Sequence, residues 1–113
     1  MKKLAPVKPG EILMEEFIIP LGLNRSRLAD ELSVPRNRIT QIVKGTREIT
    51  ADTALRLSHY FGTTPEFWMN AQAHYNLELA RDSVGETIKK TVKKNGISVT
   101  IKRTKTPAAQ PAS

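Results

Sequence analysis

Five polar side chains recur at helical spacing between residues 36 and 44, and all are of types that hydrogen-bond nucleic acid. They are Arg36, Asn37, Thr40, Gln41 and Lys44. A helix that turns Ile39, Ile42 and Val43 inward places these five on its outer face. Arginine pairs with guanine, asparagine or glutamine with adenine, and threonine contacts either base or a thymine methyl. The outer face of this helix is therefore predicted to contact duplex DNA.

Base contacts and phosphate contacts are predicted to fall to different side chains. Asn37 and Gln41 lie one turn apart along the exposed stripe and are the predicted base-contacting pair, with Arg36 and Thr40 flanking them. Phosphate contacts fix the orientation of a protein on the duplex, whereas base contacts carry its sequence preference. Four cations on or beside the helix are predicted to bind phosphate: Arg25, Arg38, Lys44 and Arg47.

The chain lacks the residue patterns that catalysis or metal binding would require. The chain has no cysteine, which excludes disulfides, thiol catalysis and cysteine-rich zinc sites. His59 and His74 fall on different predicted helices with no ligand cluster beside them. The acids occur in adjacent pairs typical of solvated helix faces, namely Glu15 with Glu16 and Asp30 with Glu31. We therefore predict no catalytic residue, no metal site, no cofactor and no enzyme activity.

Two short helices joined by a tight turn are predicted to position the polar face. Such a pair needs a small residue where its helices cross, and Ala29 supplies it between two leucines. Val34 fills the turn, while Ile39 and Ile42 anchor the second helix. Residues 25–44 thus have the pattern of a helix-turn-helix.

Start and stop signals divide residues 9–82 into five helices, so the predicted fold class is all-α. Proline, capping side chains and acids mark the starts, and glycine marks most of the ends. In the fourth helix, Ala54, Leu55, Leu57 and Phe61 are predicted to face inward. The predicted helices run from Pro9 to Pro20, from Asn24 to Ser33, from Pro35 to Gly45, from Thr50 to Gly62, and from Thr64 to about Arg81.

The fifth helix is apolar on two sides. Trp68, Ala71 and Tyr75 form a stripe that is predicted to face the core. The second stripe is a candidate dimer or partner face and comprises Met69, Ala73, Leu77 and Ala80. Because a helix that is apolar on two sides normally has two neighbours, this face is predicted to meet another protomer or the C-terminal segment.

Charge and composition change after Ser83. Residues 1–82 carry 11 basic and 10 acidic side chains, whereas residues 83–113 carry 7 basic and 1 acidic, so most of the net charge of +7 lies in the second part. No apolar run is long enough for a secretory signal or a membrane span, and a cytoplasmic location is predicted. The predicted organisation is a flexible arm (1–8), a helix-turn-helix DNA-binding domain (9–82), a basic extension (83–103) and a disordered tail (104–113).

Two structures fit the basic extension. Asn95 and Gly96 favour a β-hairpin turn before an alternating run, and the apolar face would then comprise Ile88, Val92, Ile97, Val99 and Ile101. The alternative is a short helix through Val84, Ile88 and Val92. An isolated hairpin is only marginally stable, so the sequence leaves both structures open.

Several motifs in order resemble a known family. Residues 21–29 (LGLNRSRLA), followed by Val34 and Pro35 and the apolar positions of the next helix, resemble the Cro/repressor-type (XRE-like) helix-turn-helix. Residues 9–13 (PGEIL), 49–57 (ITADTALRL) and 61–72 (FGTTPEFWMNAQ) resemble the HigA (VapI-like) antitoxins of bacterial toxin–antitoxin modules. The likeness covers residues 8–80. Ser33 departs from the pattern, which often has glycine at this turn.

The resemblance implies a transcriptional autorepressor that binds double-stranded DNA at its own operator as a homodimer. It also implies a protein partner, a small ribonuclease-like toxin of the HigB type encoded beside it. A stand-alone XRE-type regulator without a toxin partner is the alternative.

Overall fold

Five helices account for most of residues 5–96, the part of the chain that the computed structural model describes. Helix α1 is an α-helical turn at Pro9–Ile12 continued by π-helical turns over Leu13–Ile18. No strand occurs within residues 5–96, which agrees with the predicted all-α class. The remaining helices are α2 (Arg25–Leu32), α3 (Arg36–Lys44), α4 (Ala51–Phe61) and α5 (Pro65–Thr91).

Local signals set most helix ends. The side chains of Asn24 and Thr64 each accept a hydrogen bond from the backbone N–H three residues on, at 2.8 and 3.1 Å, and so cap α2 and α5. Thr50 precedes α4 without a side-chain cap of this kind. Gly45 and Gly62 end α3 and α4 in the left-handed region, with φ of 88° and 78°.

The core forms where α1 to α4 meet the first part of α5. Its largest side chain is Trp68, which is fully buried. The indole ring lies 5.0 Å from Phe17 between centroids, and its Nε1 donates to Thr63 Oγ1 at 2.7 Å. The other fully buried apolar side chains are Leu13, Ile18, Leu28, Ala29, Ile39, Ile42, Ile49, Ala54 and Leu57.

Helix α1 crosses α3 at a glycine. A Cβ added to Gly10 would lie 2.1 Å from the carbonyl oxygen of Ile42 and 2.7 Å from Cα of Val43. Only a residue without a side chain permits this approach of the two backbones. The crossing therefore fixes α3, which carries the predicted DNA-contacting face, against the N-terminal helix.

One predicted core position in α4 is wrong. Leu55 is 59% exposed, whereas Ala54 and Leu57 are fully buried and Phe61 is half-buried. The buried positions follow the spacing of 3 and 4 residues that one helix face requires, and Leu55 lies about 100° away from Ala54. Thr53 and Ser58 are buried in its place.

Helix α5 continues well beyond the predicted end near Arg81. It reaches Thr91, so Val84 and Ile88 lie in a helix and not in the first strand of a hairpin. Continuation of an existing helix needs no new nucleation, and Lys89 Nζ lies 3.5 Å from a carboxylate oxygen of Glu86, one turn away. The predicted second strand, residues 97–101, lies outside the described residues.

Candidate nucleic-acid interface

The turn between α2 and α3 is tight and left-handed. Ser33 adopts φ 59° and ψ 46°, so the position requires the conformation that glycine adopts most easily. The N–H groups of Ser33 and Val34 donate to the carbonyl oxygens of Asp30 and Ala29, at 3.1 and 3.0 Å. The serine noted as a departure from the family pattern thus sits in a strained backbone conformation.

Arg56 of α4 holds this turn from outside. Its Nη1 donates to the carbonyl oxygens of Leu32 and Ser33, at 2.8 and 3.3 Å, where α2 ends with unpaired acceptors. Its Nε donates to Asp52 Oδ2 at 3.0 Å. Arg38 of α3 donates to the same carboxylate oxygen at 2.6 Å. Asp52 therefore links α3 to the arginine that caps α2.

Arg56 and Arg38 also favour the ionised form of Asp52. The hydrogen bonds from Arg56 and then Arg38 lower the pKa of this carboxyl below its ordinary value. A second pair spans the same turn, because Arg36 of α3 makes two hydrogen bonds to Asp30 of α2, at 3.3 and 2.9 Å. The Arg36 bonds likewise lower the pKa of Asp30. Both carboxylates are thus ionised acceptors at neutral pH.

The four predicted base-contacting residues share one side of α3 but have different surroundings. Asn37 is exposed, and its amide has no hydrogen-bond partner within residues 5–96. Thr40 is half-buried. Gln41 Oε1 accepts from Arg47 Nε at 2.8 Å. Arg36 is exposed but engaged with Asp30.

The four predicted phosphate-binding cations also differ. Arg25 and Lys44 are exposed, and neither has an ion-pair partner in the described part of the chain. Arg47 is exposed in the loop after α3. The Arg38 side chain is only 25% exposed and is paired with Asp52. Three of the four cations therefore have their charge open to solvent, at the start of α2, at the end of α3 and in the loop after α3.

Two polar residues that position α3 are absent from the sequence-based predictions. One is Arg56, described above. The other is Gln72 of α5, which is buried and accepts from the backbone N–H of Ile49 at 2.8 Å. Gln72 also donates to Asn76, which in turn donates to Glu48 at 3.3 Å. The position of Gln72 one turn after Trp68 was a helical-spacing signal that could have marked it as inward-facing.

The candidate partner face on α5 is open to solvent. Met69 and Leu77 are 38% and 53% exposed, and Ala73 and Ala80 are also exposed. The predicted core stripe differs, because Trp68 is fully buried and Ala71 and Tyr75 are half-buried. Helix α5 thus has one side in the core and an apolar side that is exposed.

The described residues contain neither a membrane-spanning helix nor a cluster of metal ligands. No helix between residues 5 and 96 is long and apolar enough to cross a membrane. Over the same range, no cluster of three or more histidine, cysteine or acidic residues has the arrangement of a metal site.

The fold and the exposed face of α3 define a helix-turn-helix protein, and a family model described as "Helix-turn-helix" matches residues 14–68. Virulence-associated protein I of Dichelobacter nodosus is 47% identical over 78 residues, which cover 69% of this chain and 72% of that protein. The structure of a HigA-family addiction module antidote protein from Coxiella burnetii is 47% identical, with a TM-score of 0.77, over 80% of this chain and 99% of that one.

A further solved structure, the Pseudomonas aeruginosa antitoxin HigA with the higBA promoter, is 38% identical with a TM-score of 0.78. The match covers 80% of this chain and 98% of that one. The chain therefore belongs to the HigA/VapI-like family of XRE-type helix-turn-helix proteins. This is a family of DNA-binding antitoxins and regulators and not of enzymes.

Proposed function

We propose that the protein is the antitoxin of a type II toxin–antitoxin module, which represses its own operon and neutralises a HigB-like toxin by binding it. The DNA-binding half of this proposal draws most on the polar face of α3. That face carries the exposed, unpartnered amide of Asn37 and the partly exposed Thr40 and Gln41, and exposed cations lie at its end and in the loop after it, Lys44 and Arg47. The hydrogen bonds of Asp52 with Arg38 and of Arg56 with the end of α2 hold α3 in a fixed orientation relative to α2.

Asn37 and Gln41 are the proposed base-contacting residues, with Arg36 and Thr40 beside them. Arg25, Lys44 and Arg47 are proposed to bind phosphate. Arg38 was predicted to do the same, and its pairing with Asp52 would require that it bind phosphate while it retains this partner. Phosphate binding at the other three cations requires no such sharing with an acid.

A homodimer would place two α3 helices on successive half-sites of an operator, about 34 to 36 Å apart. The exposed stripe of Met69, Ala73, Leu77 and Ala80 is the proposed contact surface for a second protomer or for the toxin. The exposure of these apolar side chains to solvent supports this part of the proposal. Support for the toxin itself comes from the family to which the chain belongs.

A double substitution tests the proposed base contacts. Asn37→Ala with Gln41→Ala removes both amides, and each lost base contact costs about 1 to 3 kcal/mol of discrimination. We expect preference for the DNA upstream of the protein's own gene, over random duplex of equal length, to be lost in a fluorescence anisotropy titration at low salt.

The matched control is Asn70→Ala. Asn70 is an exposed helical asparagine on α5, so the same type of change is made away from α3. It should leave both affinity and preference unchanged. A double variant that is folded by circular dichroism and still prefers its own promoter would show that other residues contact the bases.

Coexpression tests the proposed partner. The gene adjacent to this one should encode a small protein that arrests growth when expressed alone and copurifies with this chain when the two are expressed together. Leu77→Glu places a charge on the exposed stripe and should weaken that copurification or the homodimer, whereas Glu66→Gln, an exposed change nearby on α5, should affect neither. A harmless neighbour that does not bind would favour the stand-alone regulator.

A further inference from the structure

The side-chain amide of Gln41 is held in one orientation by Arg47. The Nε of Arg47 donates to Gln41 Oε1 at 2.8 Å. A guanidinium carries only hydrogen-bond donors, so the amide atom that faces it has to be the oxygen. The two chemically different ends of the amide are therefore not interchangeable at this position.

This orientation leaves the amino group as the open polar end of Gln41. Nε2 carries two donors and has no partner within residues 5–96. A glutamine that pairs with adenine uses both ends of its amide, accepting from N6 and donating to N7. Guanine instead presents two adjacent acceptors in the major groove, N7 and O6. Because Oε1 is directed at Arg47 and one of its two acceptor sites is already used, the amide presents mainly its amino group, which is complementary to guanine.

We propose that Arg47 is a specificity-determining residue, which presents Gln41 to the major groove as a hydrogen-bond donor and so favours guanine over adenine at one position of each half-site. This inference rests on the proposed base contact of Gln41. Arg47 is a positioning residue in this role, because it acts on the base through Gln41.

The same guanidinium can bind phosphate while it holds Gln41. Only its Nε is used by the amide, and its two terminal nitrogens have no acid partner in the described residues. A phosphate oxygen bound there would fix the arginine and, through it, the amide. Phosphate binding and base selection would then be coupled in one residue.

Asn37 provides an internal contrast. Its amide has no hydrogen-bond partner among the described residues, so both of its ends are open and it can make the two-point contact with adenine. The two amides, one turn apart on α3, are thus expected to select different bases.

The test is selection of bound duplexes from a randomised DNA library by the full chain and its variants. Gln41→Ala identifies the position, because the base preference there should disappear. At that position the unsubstituted protein should prefer guanine to adenine by at least about fivefold, the lower end of the range for a good base contact. Arg47→Ala should move the preference to adenine, since the oxygen is then open. Arg47→Lys should retain guanine, because lysine also offers donors only.

Two controls separate base selection from phosphate binding. Arg25→Ala removes another exposed cation, and it should weaken binding to all duplexes alike without a change in the guanine-to-adenine ratio. In the Gln41→Ala background, Arg47→Ala should also leave that ratio unchanged, because the arginine has no amide to orient.

The outcomes distinguish this inference from the proposed function. If Gln41→Ala leaves every position unchanged, Gln41 contacts no base, and the proposed base contact is lost together with the role of Arg47. If Gln41→Ala erases one position but the unsubstituted protein prefers adenine there, or Arg47→Ala keeps guanine equally strongly, the role of Arg47 is overturned while the proposed base contact stands.

Discussion

Two glycines of the helices have opposite surroundings. Gly10 lies against the backbone of α3, where an added Cβ would meet the Ile42 carbonyl oxygen at 2.1 Å. Gly85 lies in α5, where the nearest atom to an added Cβ is Cβ of Arg81 at 3.9 Å. The same substitution should therefore have opposite effects at the two positions.

We expect Gly10→Ala to destabilise the protein by about 1 to 3 kcal/mol, because the backbones of α1 and α3 have to separate. Gly85→Ala should stabilise it by about 0.5 to 1 kcal/mol, because alanine restricts the unfolded chain and favours the helix. Urea denaturation of both variants measures the two free energies of unfolding. Equal effects of the two substitutions would contradict the close crossing at Gly10.

Substitution by glycine at Ser33 and at Ser83 should change the free energy of unfolding in opposite directions. Because Ser33 has a φ of 59°, which favours glycine, Ser33→Gly should relieve backbone strain and raise the free energy of unfolding by about 1 kcal/mol. Ser83→Gly, within α5, should lower it by a few tenths up to about 1 kcal/mol. Thermal denaturation of the two variants checks the prediction, and a loss of stability in Ser33→Gly would show that the serine side chain has another role in the turn.

At the scale of the elements, the starts and ends of α2, α3 and α4 could be predicted because they depend on residues within a few positions. The C-terminal end of α5 could not. Asn95 and Gly96 favour a hairpin and Gly85 weakens a helix, yet the helix already present continues past both Arg81 and Ser83 because it has no nucleation cost. A residue pattern over a few positions does not show that a helix formed earlier in the chain can continue without a nucleation cost.

The candidate site, like the helices, could be predicted from the sequence only in part. Helical periodicity is sufficient to place Asn37 and Gln41 on one side of α3, away from Ile39 and Ile42. It does not show that Arg47 contacts Gln41 or that Arg56 caps α2, because these contacts depend on where a loop and another helix lie in space. Sequence spacing therefore predicts which side chains face outward, and only the tertiary structure shows how they are oriented.

The link between α2, α3 and α4 through Asp52 makes a prediction about pH. Arg56 and Arg38 lower the pKa of Asp52 in the folded protein, so the carboxylate stabilises the fold above its unfolded-state pKa. That contribution is lost as the pH falls through the lowered folded-state pKa. Asp52→Asn should therefore be less stable than the unsubstituted protein at neutral pH, and the difference should disappear in acid.

Urea denaturation at neutral pH and at about pH 2, together with NMR titration of the Asp52 carboxyl, measures this effect. Glu15→Gln is the control, because Glu15 is exposed and has no cation partner among residues 5–96. An Asp52→Asn variant as stable as the unsubstituted protein at neutral pH would contradict a stabilising role for the shared carboxylate.

At the scale of the whole molecule, the exposed cations that concern DNA lie in two regions of residues 5–96. One is the border of α3. The other is the end of α5 and the residues after it, where Lys89, Lys90, Lys93 and Lys94 are exposed. A helix rises about 1.5 Å per residue, so Lys89 lies about 26 Å along the axis from Gln72, which contacts the α3–α4 loop. Screening at physiological salt acts over about 8 Å. The lysines at this end are thus too far away to act on a phosphate bound at that loop.

We expect the salt dependence of operator binding to follow this division. Lys44→Ala should lower the slope of log K against log salt by about one unit, as the loss of one phosphate contact requires. Replacement of Lys89, Lys90, Lys93 and Lys94 by glutamine should leave the slope unchanged, because these side chains lie several screening lengths from a phosphate bound at the α3–α4 loop. A flatter slope in the glutamine variant would show instead that the extension binds DNA.

Burial of the single tryptophan gives the protein a built-in optical signal. The indole of Trp68 is enclosed by Phe17, Phe61 and Phe67, none of which belongs to α3. Its emission should therefore lie at short wavelength in the native state and shift to the red when the bundle melts. Titration with duplex DNA should leave that emission unmoved, so one fluorophore without any label can report whether a variant that fails to bind is still folded.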